Sequence, residues 1–355
     1  MINPGSTSTK VALYEDEASV FEEKVKHTAE QLSEFFSVSD QLEFRTGIVR
    51  DILEEKKVAV PDLEAVSARG GLLKPLEGGT YRVTEKMVND LKEGVMGQHA
   101  SNLGAIIAYS LTKNTDVPAF IVDPVVVDEM DPVAKVTGIP GIKRNSIFHA
   151  LNQKAAARKA SLQLKMPYEK LNLVVAHLGG GISVGAHSMG KVVDVNDALY
   201  GDGPMAPERA GRIPPYAFLQ YTEMKGMGDK EVRRTLAGRG GVVAHLGTND
   251  MNTVLERIDE GDDKAGLVFR ALIYQVAKEI GALSAALKGE VDAIVLTGGL
   301  ARSRDCVDGI KEYVRCIAEV IVIPGEKELE ALAEGALRVI RGGEQLKEYD
   351  PDIVS

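Results

Sequence analysis

Apolar positions along this chain follow two periods. Helical spacing predicts helices at 40–55, 146–164, 264–287 and 326–341, between 299 and 320, after Thr84, Ser101, Pro215 and Asn252, and near Asp229. Short apolar runs predict strands at 11–13, 20–25, 63–66, 119–122, 173–178, 182–186, 192–195, 293–296 and 320–323. Because strands and helices alternate along the chain, the predicted fold class is α/β.

Two glycine-rich loops lie between predicted strands. The first runs from Asn3 to Lys10, and the second is Gly179-Gly180-Gly181. Glycine lets a backbone approach an anion closely, and serine or threonine adds hydroxyl donors. A single loop of this kind is more often an ordinary turn, and neither one matches a Walker A loop or a dinucleotide fingerprint. Their shared strand–loop–strand plan nevertheless indicates a duplication whose halves hold one phosphate chain, with Thr297-Gly298-Gly299 as a third contact.

Composition narrows the class of partner. Of the 355 residues, 44% are hydrophobic and 26% are charged, which is typical of a globular protein with room for two domains. A net charge of −10 disfavours binding to nucleic acid. The sequence has no run of 18 apolar residues and no signal-peptide pattern, so we expect no membrane span and a cytoplasmic location.

Eight segments in order along the chain resemble the signatures of the butyrate kinases of the acetokinase family. They are NPGSTSTK, ARGGLL, VDPVVVDEM, IFHALNQK, AHLGGGIS, GDGPMAPERAG, HLGTND and LTGGLA. The resemblance implies two duplicated ribonuclease-H-like (actin-like ATPase) domains with an interdomain cleft. It implies a domain I at 1–125 and 325–355, on the acid-substrate side, and a domain II at 126–324, on the nucleotide side.

The resemblance also implies a reaction, in which the γ-phosphoryl group of ATP moves to butyrate or a related short-chain acid with Mg²⁺ present. The acid is already ionised at pH 7, so no general base is needed, and the site must instead control charge. Two alternatives stay open, namely an acetate, propionate or branched-chain acid kinase and a non-enzymatic nucleotide-dependent module. Family members are homo-oligomers, so at least a dimer is expected.

Residue roles carry over within the quoted motifs. The resemblance implies that Arg69, His149 and Arg209 stabilise the transferring group, that Asp123 supports Mg²⁺, and that Arg69 and His99 face the acid. Without the family, the arginines would be interpreted as surface charges and the histidines as structural donors. The implied nucleotide contacts are Asn3 (also a metal ligand), Ser6, Ser8, Lys10, His177, Gly179, Gly180, Gly181, Asp250, Gly298 and Gly299.

Three positions depart from the family pattern. Asn252 and Arg302 stand where acetate kinases carry an arginine and a metal-supporting glutamate, so neither role is transferred. Only Met1 and Ile2 precede Asn3, where relatives have several apolar residues, and a short first strand is therefore expected.

Overall fold

The computed structural model describes residues 1–350, in which the chain forms two compact units. Unit 1 comprises Met1–Asp128 and the described residues from Lys327 onward, and unit 2 comprises Glu129–Glu326. No helix within residues 1–350 is long and apolar enough to cross a membrane.

Strands and helices alternate along the described chain. The strands are β1 (Ile2–Pro4), β2 (Ser8–Glu15), β3 (Ala18–Lys26), β4 (Val66–Arg69), β5 (Thr80–Arg82), β6 (Ala119–Val122), β7 (Asn172–Leu178), β8 (Ile182–Ser188), β9 (Lys191–Val195), β10 (Ala293–Gly298), β11 (Val320–Pro324) and β12 (Lys347–Glu348). The helices are α1 (Ala29–Ser33), α2 (Leu42–Glu55), α3 (Glu85–Glu93), α4 (Asn102–Thr112), α5 (Pro132–Lys135), α6 (Ala150–Leu164), α7 (Pro215–Lys225), α8 (Asp229–Leu236), α9 (Val242–Leu246), α10 (Met251–Asp259), α11 (Asp263–Ala286), α12 (Arg304–Val314) and α13 (Glu328–Ile340).

The two sheets repeat one plan. In unit 1 the order is β12-β5-β6-β4-β1-β2-β3, and in unit 2 it is β11-β10-β7-β8-β9. Each sheet starts with an antiparallel meander, β1-β2-β3 or β7-β8-β9, and then adds parallel strands beside its first strand. The five strands β3-β2-β1-β4-β6 therefore correspond one by one to β9-β8-β7-β10-β11, which confirms the predicted α/β class and internal duplication.

Alternate residues of the strands in unit 2 face different helices, as a pleated sheet requires. Val174 and Ala176 of β7 belong to the core that includes α11 and α12. Leu173 and Val175, their sequence neighbours, pack with the small residues Ala156 and Ala160 of α6. Unit 2 is thus a sheet covered on both faces, which explains why its parallel strands are continuous apolar runs.

Among the element boundaries that differ from the sequence prediction, two starts lie several residues later than expected. The strand expected at 63–66 begins only at Val66, because Pro61 lies in a 3₁₀ turn at Val60–Asp62 that occupies the preceding segment. The helix expected from Ser146 begins only at Ala150. His149, the residue before its first turn, has a φ of −82° and a ψ of 60°, which is not a helical conformation. His149 is therefore at a helix N-terminus and not within the helix.

A cavity of about 670 Å³ lies in unit 1 beside Met1. Strand β1 has three residues, while its neighbour β2 has eight, so β2 continues past the start of β1. The cavity is lined by Leu13–Glu15 of β2 and by 63–66, which follow the line of β1 on its two sides. The expected short first strand is therefore present, and the space beyond its end is open.

Candidate active site

The first glycine loop joins β1 to β2 in unit 1. The Gly5 N–H donates to the Ser8 carbonyl at 2.8 Å, which closes the turn. Asn3 and Ser8 are buried at the two ends of the loop, whereas Ser6 is exposed at its tip. Asn3 and Lys10 are paired across the antiparallel strands, so their side chains project from the same side of the sheet.

Glu328, the first residue of α13, brings three of these predicted residues together. Its Oε2 accepts from Asn3 Nδ2 at 2.6 Å and lies 3.1 Å from Lys10 Nζ, and its Oε1 pairs with the Arg69 guanidinium. Burial would raise the pKa of Glu328, but the charges of Arg69 and Lys10 and the hydrogen bonds from Lys10 and Asn3 together lower it. This carboxylate is therefore an anion already bound at the place where two cations converge.

Close backbone packing fixes Arg69 at the end of β4. A Cβ added at Gly104 of α4 would lie 2.4 Å from the Arg69 carbonyl oxygen, and one at Gly71 would lie 2.5 Å from Asn102 Cα. The Oδ1 atom of Asn102 accepts from the Leu72 N–H at 2.9 Å, which ties the ARGGLL segment to the start of α4. The glycines of that segment are thus required for close approach between elements.

Asp123 and His99 are held by their own loops. Asp123 follows β6 with a φ of +37°, and its Oδ1 accepts from the Gly79 N–H at 2.7 Å in a buried position. His99 Nδ1 lies 2.8 Å from Ser101 Oγ and accepts from the Ser101 N–H at 3.2 Å. Desolvation, and then the charges of Arg69 and Arg45, lower the pKa of His99, so its ring is neutral at pH 7.

Unit 1 offers oxygen donors suited to a hard divalent cation. The Oδ1 atom of Asn3 is buried and has no hydrogen-bond partner among the described residues. An amide oxygen of this kind, together with the Asp123 carboxylate, is the donor type that Mg²⁺ prefers, with water completing its shell. No cluster of three His, Cys, Asp or Glu residues within 1–350 has the arrangement of a metal cage.

A buried cation underlies the first loop. Arg45 of α2 is fully buried and donates from NH1 to the Ser8 carbonyl at 3.0 Å and to Thr9 Oγ1 at 3.1 Å. Burial lowers its pKa, yet an arginine stays charged at neutral pH. Arg45 therefore both holds the loop and places a positive charge behind it, a role that sequence reasoning missed.

The second glycine loop joins β7 to β8 in unit 2. Gly179 N–H donates to the Gly181 carbonyl at 3.2 Å, and the Glu208 N–H donates to the Gly180 carbonyl at 3.0 Å. Gly298, at the end of β10 with a φ of +90°, packs so closely that an added Cβ would lie 2.4 Å from the Leu178 carbonyl oxygen. The loop is thus supported by a second glycine turn, while the nucleotide contact expected of Gly298 and Gly299 stays a prediction.

Two histidines stack beside this loop. The rings of His149 and His177 are 3.8 Å apart between centroids and inclined by 14°. Asn152 Oδ1 lies 2.7 Å from His177 Nδ1 and can only accept, so that nitrogen carries a hydrogen. His177 Nε2 is buried 3.2 Å from Glu326 Oε1.

Arg209 lies beside the same glycine loop as His149. A Cβ added at Gly181 would be 3.8 Å from Arg209 Cγ and 3.8 Å from His149 Cε1, so both side chains lie next to this glycine. The buried Arg209 Nε has no hydrogen-bond partner among the described residues, and its NH1 is 3.5 Å from Glu208 Oε2. Asp250 instead caps α10, with its Oδ1 accepting from the Asn252 N–H at 3.0 Å.

The structure gathers the predicted residues unevenly. Asn3, Lys10 and Arg69 meet on Glu328 in unit 1, whereas His149, His177 and Arg209 surround the second loop in unit 2. Sequence reasoning missed Glu328 as well as the polar residues that hold the histidines, which are Asn152, Gln153 and Ser183. Asn152 and Gln153 lie three and four residues after His149, and that spacing on one helical face was the available signal.

Comparisons with solved structures agree with the fold described above. The solved acetate kinase of Porphyromonas gingivalis superposes with a TM-score of 0.76 at 20% identity, covering 96% of this chain and 98% of that one. A propionate kinase from Francisella tularensis subsp. tularensis gives 0.74 at 20% identity, with 94% and 97% covered. The acetate kinase of Entamoeba histolytica gives 0.74 at 18% identity, with 95% and 98% covered. At these identities the likeness shows a shared fold.

The family itself is shown by sequence. The model of the acetokinase family matches residues 134–330, which is more than half of the chain. This segment includes both stacked histidines, the second glycine loop and Arg209. The chain therefore belongs to the acetokinase family, whose members are ATP-dependent carboxylate kinases.

Proposed function

We propose that this protein transfers the γ-phosphoryl group of ATP to butyrate or a closely related short-chain acid, forming an acyl phosphate and ADP in a reversible reaction. The observation that carries the proposal is the placement of both His149 and Arg209 next to Gly181 of the second glycine loop. Two such donors beside a glycine loop suit a phosphoryl group whose charge is spread over three oxygens.

We further propose that unit 1 receives the acid and unit 2 the nucleotide. In support of the first role, Arg69 and Lys10 already hold the Glu328 carboxylate, which has the same functional group as the substrate. In support of the second role, unit 2 has a loop of three consecutive glycines with His177 at its entrance. Backbone N–H groups in such a loop are suited to phosphate oxygens.

The proposed chemistry needs no proton transfer. A carboxylate oxygen of the acid forms a bond to the γ-phosphorus, the bond from that phosphorus to the bridging oxygen breaks, and ADP leaves with the electron pair. Arg69 orients the acid, while His149 and Arg209 neutralise the charge on the transferring oxygens. Asn3 and Asp123 would hold Mg²⁺, which supplies further neutralisation of the phosphates when bound.

Hydroxylamine trapping tests the function directly, because acyl phosphates react with it to give hydroxamates, whose ferric complexes are coloured. The protein would be incubated with ATP and Mg²⁺ and, in turn, acetate, propionate, butyrate, isobutyrate or valerate. We expect kcat/KM to be highest for butyrate, with modest differences between neighbours because each buried methylene contributes only about 0.8 kcal/mol.

Two results would contradict parts of this proposal. A maximum at acetate or propionate would replace butyrate with the acids of the kinases that superpose on this chain. No product with any acid, from folded protein that still binds ATP, would favour a nucleotide-dependent binding module. Arg69→Gln is the variant expected to lose at least about 10² in kcat/KM, and Arg50→Gln, at an exposed position on α2, is its matched control.

A further inference from the structure

A chain of buried hydrogen bonds runs behind His149 in unit 2. Tyr168 Oη lies 2.7 Å from His187 Nδ1, and His187 Nε2 lies 3.0 Å from Gln153 Oε1. Gln153 Nε2 lies 2.8 Å from Ser183 Oγ, which in turn lies 2.8 Å from His149 Nδ1. Tyr168, His187, Gln153 and Ser183 are all at most 2% exposed.

The orientation of the Gln153 amide fixes the direction of the chain. Gln153 Nε2 is also 3.0 Å from the backbone carbonyl of Ser183, an atom that only accepts. Its two hydrogens are therefore both used on Ser183, one on the carbonyl and one on Oγ. The amide oxygen then faces His187, so His187 Nε2 must carry a hydrogen.

The end of the hydrogen-bond chain at Tyr168 and His187 is consistent with that direction. Burial, and then the charges of Lys154 and Arg158, lower the pKa of His187 well below its ordinary value, so the ring is neutral. With its hydrogen on Nε2, the Nδ1 atom accepts from the hydroxyl of Tyr168. An added Cβ at Gly185 would lie 2.5 Å from Gln153 Oε1, so the glycine there makes room for the amide.

The end of the hydrogen-bond chain at Ser183 determines which ring nitrogen of His149 carries the hydrogen. Ser183 Oγ accepts from Gln153, and the His149 backbone N–H also points to it at 3.5 Å. Its single hydrogen is then directed to His149 Nδ1, which must accept. The ring hydrogen of His149 is left on Nε2, next to the Cε1 edge that faces Gly181.

We propose that Ser183 and Gln153 are positioning residues that hold His149 as the neutral tautomer protonated at Nε2. This proposal rests on the proposed function, in which His149 donates that N–H to an oxygen of the transferring phosphoryl group. A neutral His149 also suits its stacking on His177 at 3.8 Å, because two cationic rings at that separation would repel. The tautomer of His177, in contrast, is set by Asn152.

Long-range ¹H–¹⁵N NMR of the full chain labelled with ¹⁵N-histidine reads the tautomer without any activity measurement. His149→Gln identifies the signals by their loss. We expect an unprotonated Nδ1 and a protonated Nε2 at His149 in the wild-type protein. A protonated Nδ1 would overturn the proposal, whatever the variants do.

Variants then test the positioning role. Ser183→Ala and Gln153→Met should shift the His149 signals toward a tautomer mixture and lower kcat roughly tenfold, less than loss of the donor itself, with KM for ATP unchanged. Ser183→Thr keeps the hydroxyl and should restore both readouts. Thermal unfolding verifies that each variant folds. Unchanged signals, or shifted signals with unchanged kcat, would overturn the positioning role.

The two proposals can fail separately. If no acid gives hydroxamate while His149 shows the expected tautomer with its dependence on Ser183, the proposed function fails and the structural part of this inference stands. If the enzyme is active while His149 is protonated at Nδ1, the inference fails and the proposed function stands.

Discussion

Glu328 determines the electrostatics of the first half of the site. Three side chains from β1, β2 and β4 meet on its carboxylate, which lies at the positive N-terminal end of α13. No local pattern predicts this meeting, because Glu328 lies 259 residues from Arg69 and 318 from Lys10. A residue whose partners are all non-local can be found only once the fold is known.

Replacing Glu328 with glutamine should therefore leave Lys10 and Arg69 without their carboxylate partner. We expect Glu328→Gln to lower the free energy of unfolding at pH 7 by about 2 kcal/mol, because two partly buried ion pairs lose their shared carboxylate. The folded-state pKa of Glu328 is lowered, so its stabilisation is present above the ordinary carboxyl pKa and is lost as pH falls through the lowered value. The difference between wild type and variant should thus shrink in acid.

Thermal unfolding at pH 7 and in acid, below the ordinary carboxyl pKa, measures this difference. Glu54→Gln, an exposed change on α2, is the control and should match wild type at both pH values. A Glu328→Gln difference that stays constant from pH 7 to acid would contradict the lowered pKa.

At the scale of elements, close packing of α4 on β4 positions Arg69. Gly104→Ala would place a methyl group 2.4 Å from the Arg69 carbonyl oxygen, so the helix or the strand must shift. We expect a loss of about 2 kcal/mol in stability and a fall in kcat/KM, because Arg69 moves with its strand. Gly47→Ala in α2, where an added Cβ meets nothing within 4 Å, should instead stabilise by about 0.5–1 kcal/mol. Equal effects of the two changes on unfolding would contradict this account.

Local pattern determines which elements the sequence could predict. The continuous apolar runs of β7 and β10 and the long α11 were evident, because these elements are buried by their own composition. The boundary at Val66 follows a proline turn. The boundary at Ala150 depends on the contact of His149 with Ser183, which is too distant in sequence for a local pattern to show. The hydrogen bonds behind His149 were missed for the same reason, since Ser183 and His187 lie on a strand and Gln153 lies on a separate helix.

At the scale of the whole molecule, the two copies of one topology have different roles in the proposed function. Strands β1 and β7 hold equivalent places in their sheets, and each leads into a glycine loop. The loops have diverged, because the first is held by Arg45 from behind whereas the second is flanked by His149 and Arg209. One loop with a buried cation and one with half-buried donors are suited to different parts of the substrates.

This division predicts that the two ligands respond to different variants. A ligand that binds only the folded state at 100 times its Kd stabilises by about 2.7 kcal/mol, which thermal unfolding resolves. Arg69→Gln should abolish stabilisation by butyrate and keep stabilisation by ATP. Gly180→Ala should do the reverse, because its added Cβ meets Glu208 only at 3.6 Å and so leaves the fold intact while narrowing the loop. If either variant loses both responses equally, the acid and the nucleotide do not divide between the units, and the two glycine loops act on one shared ligand instead.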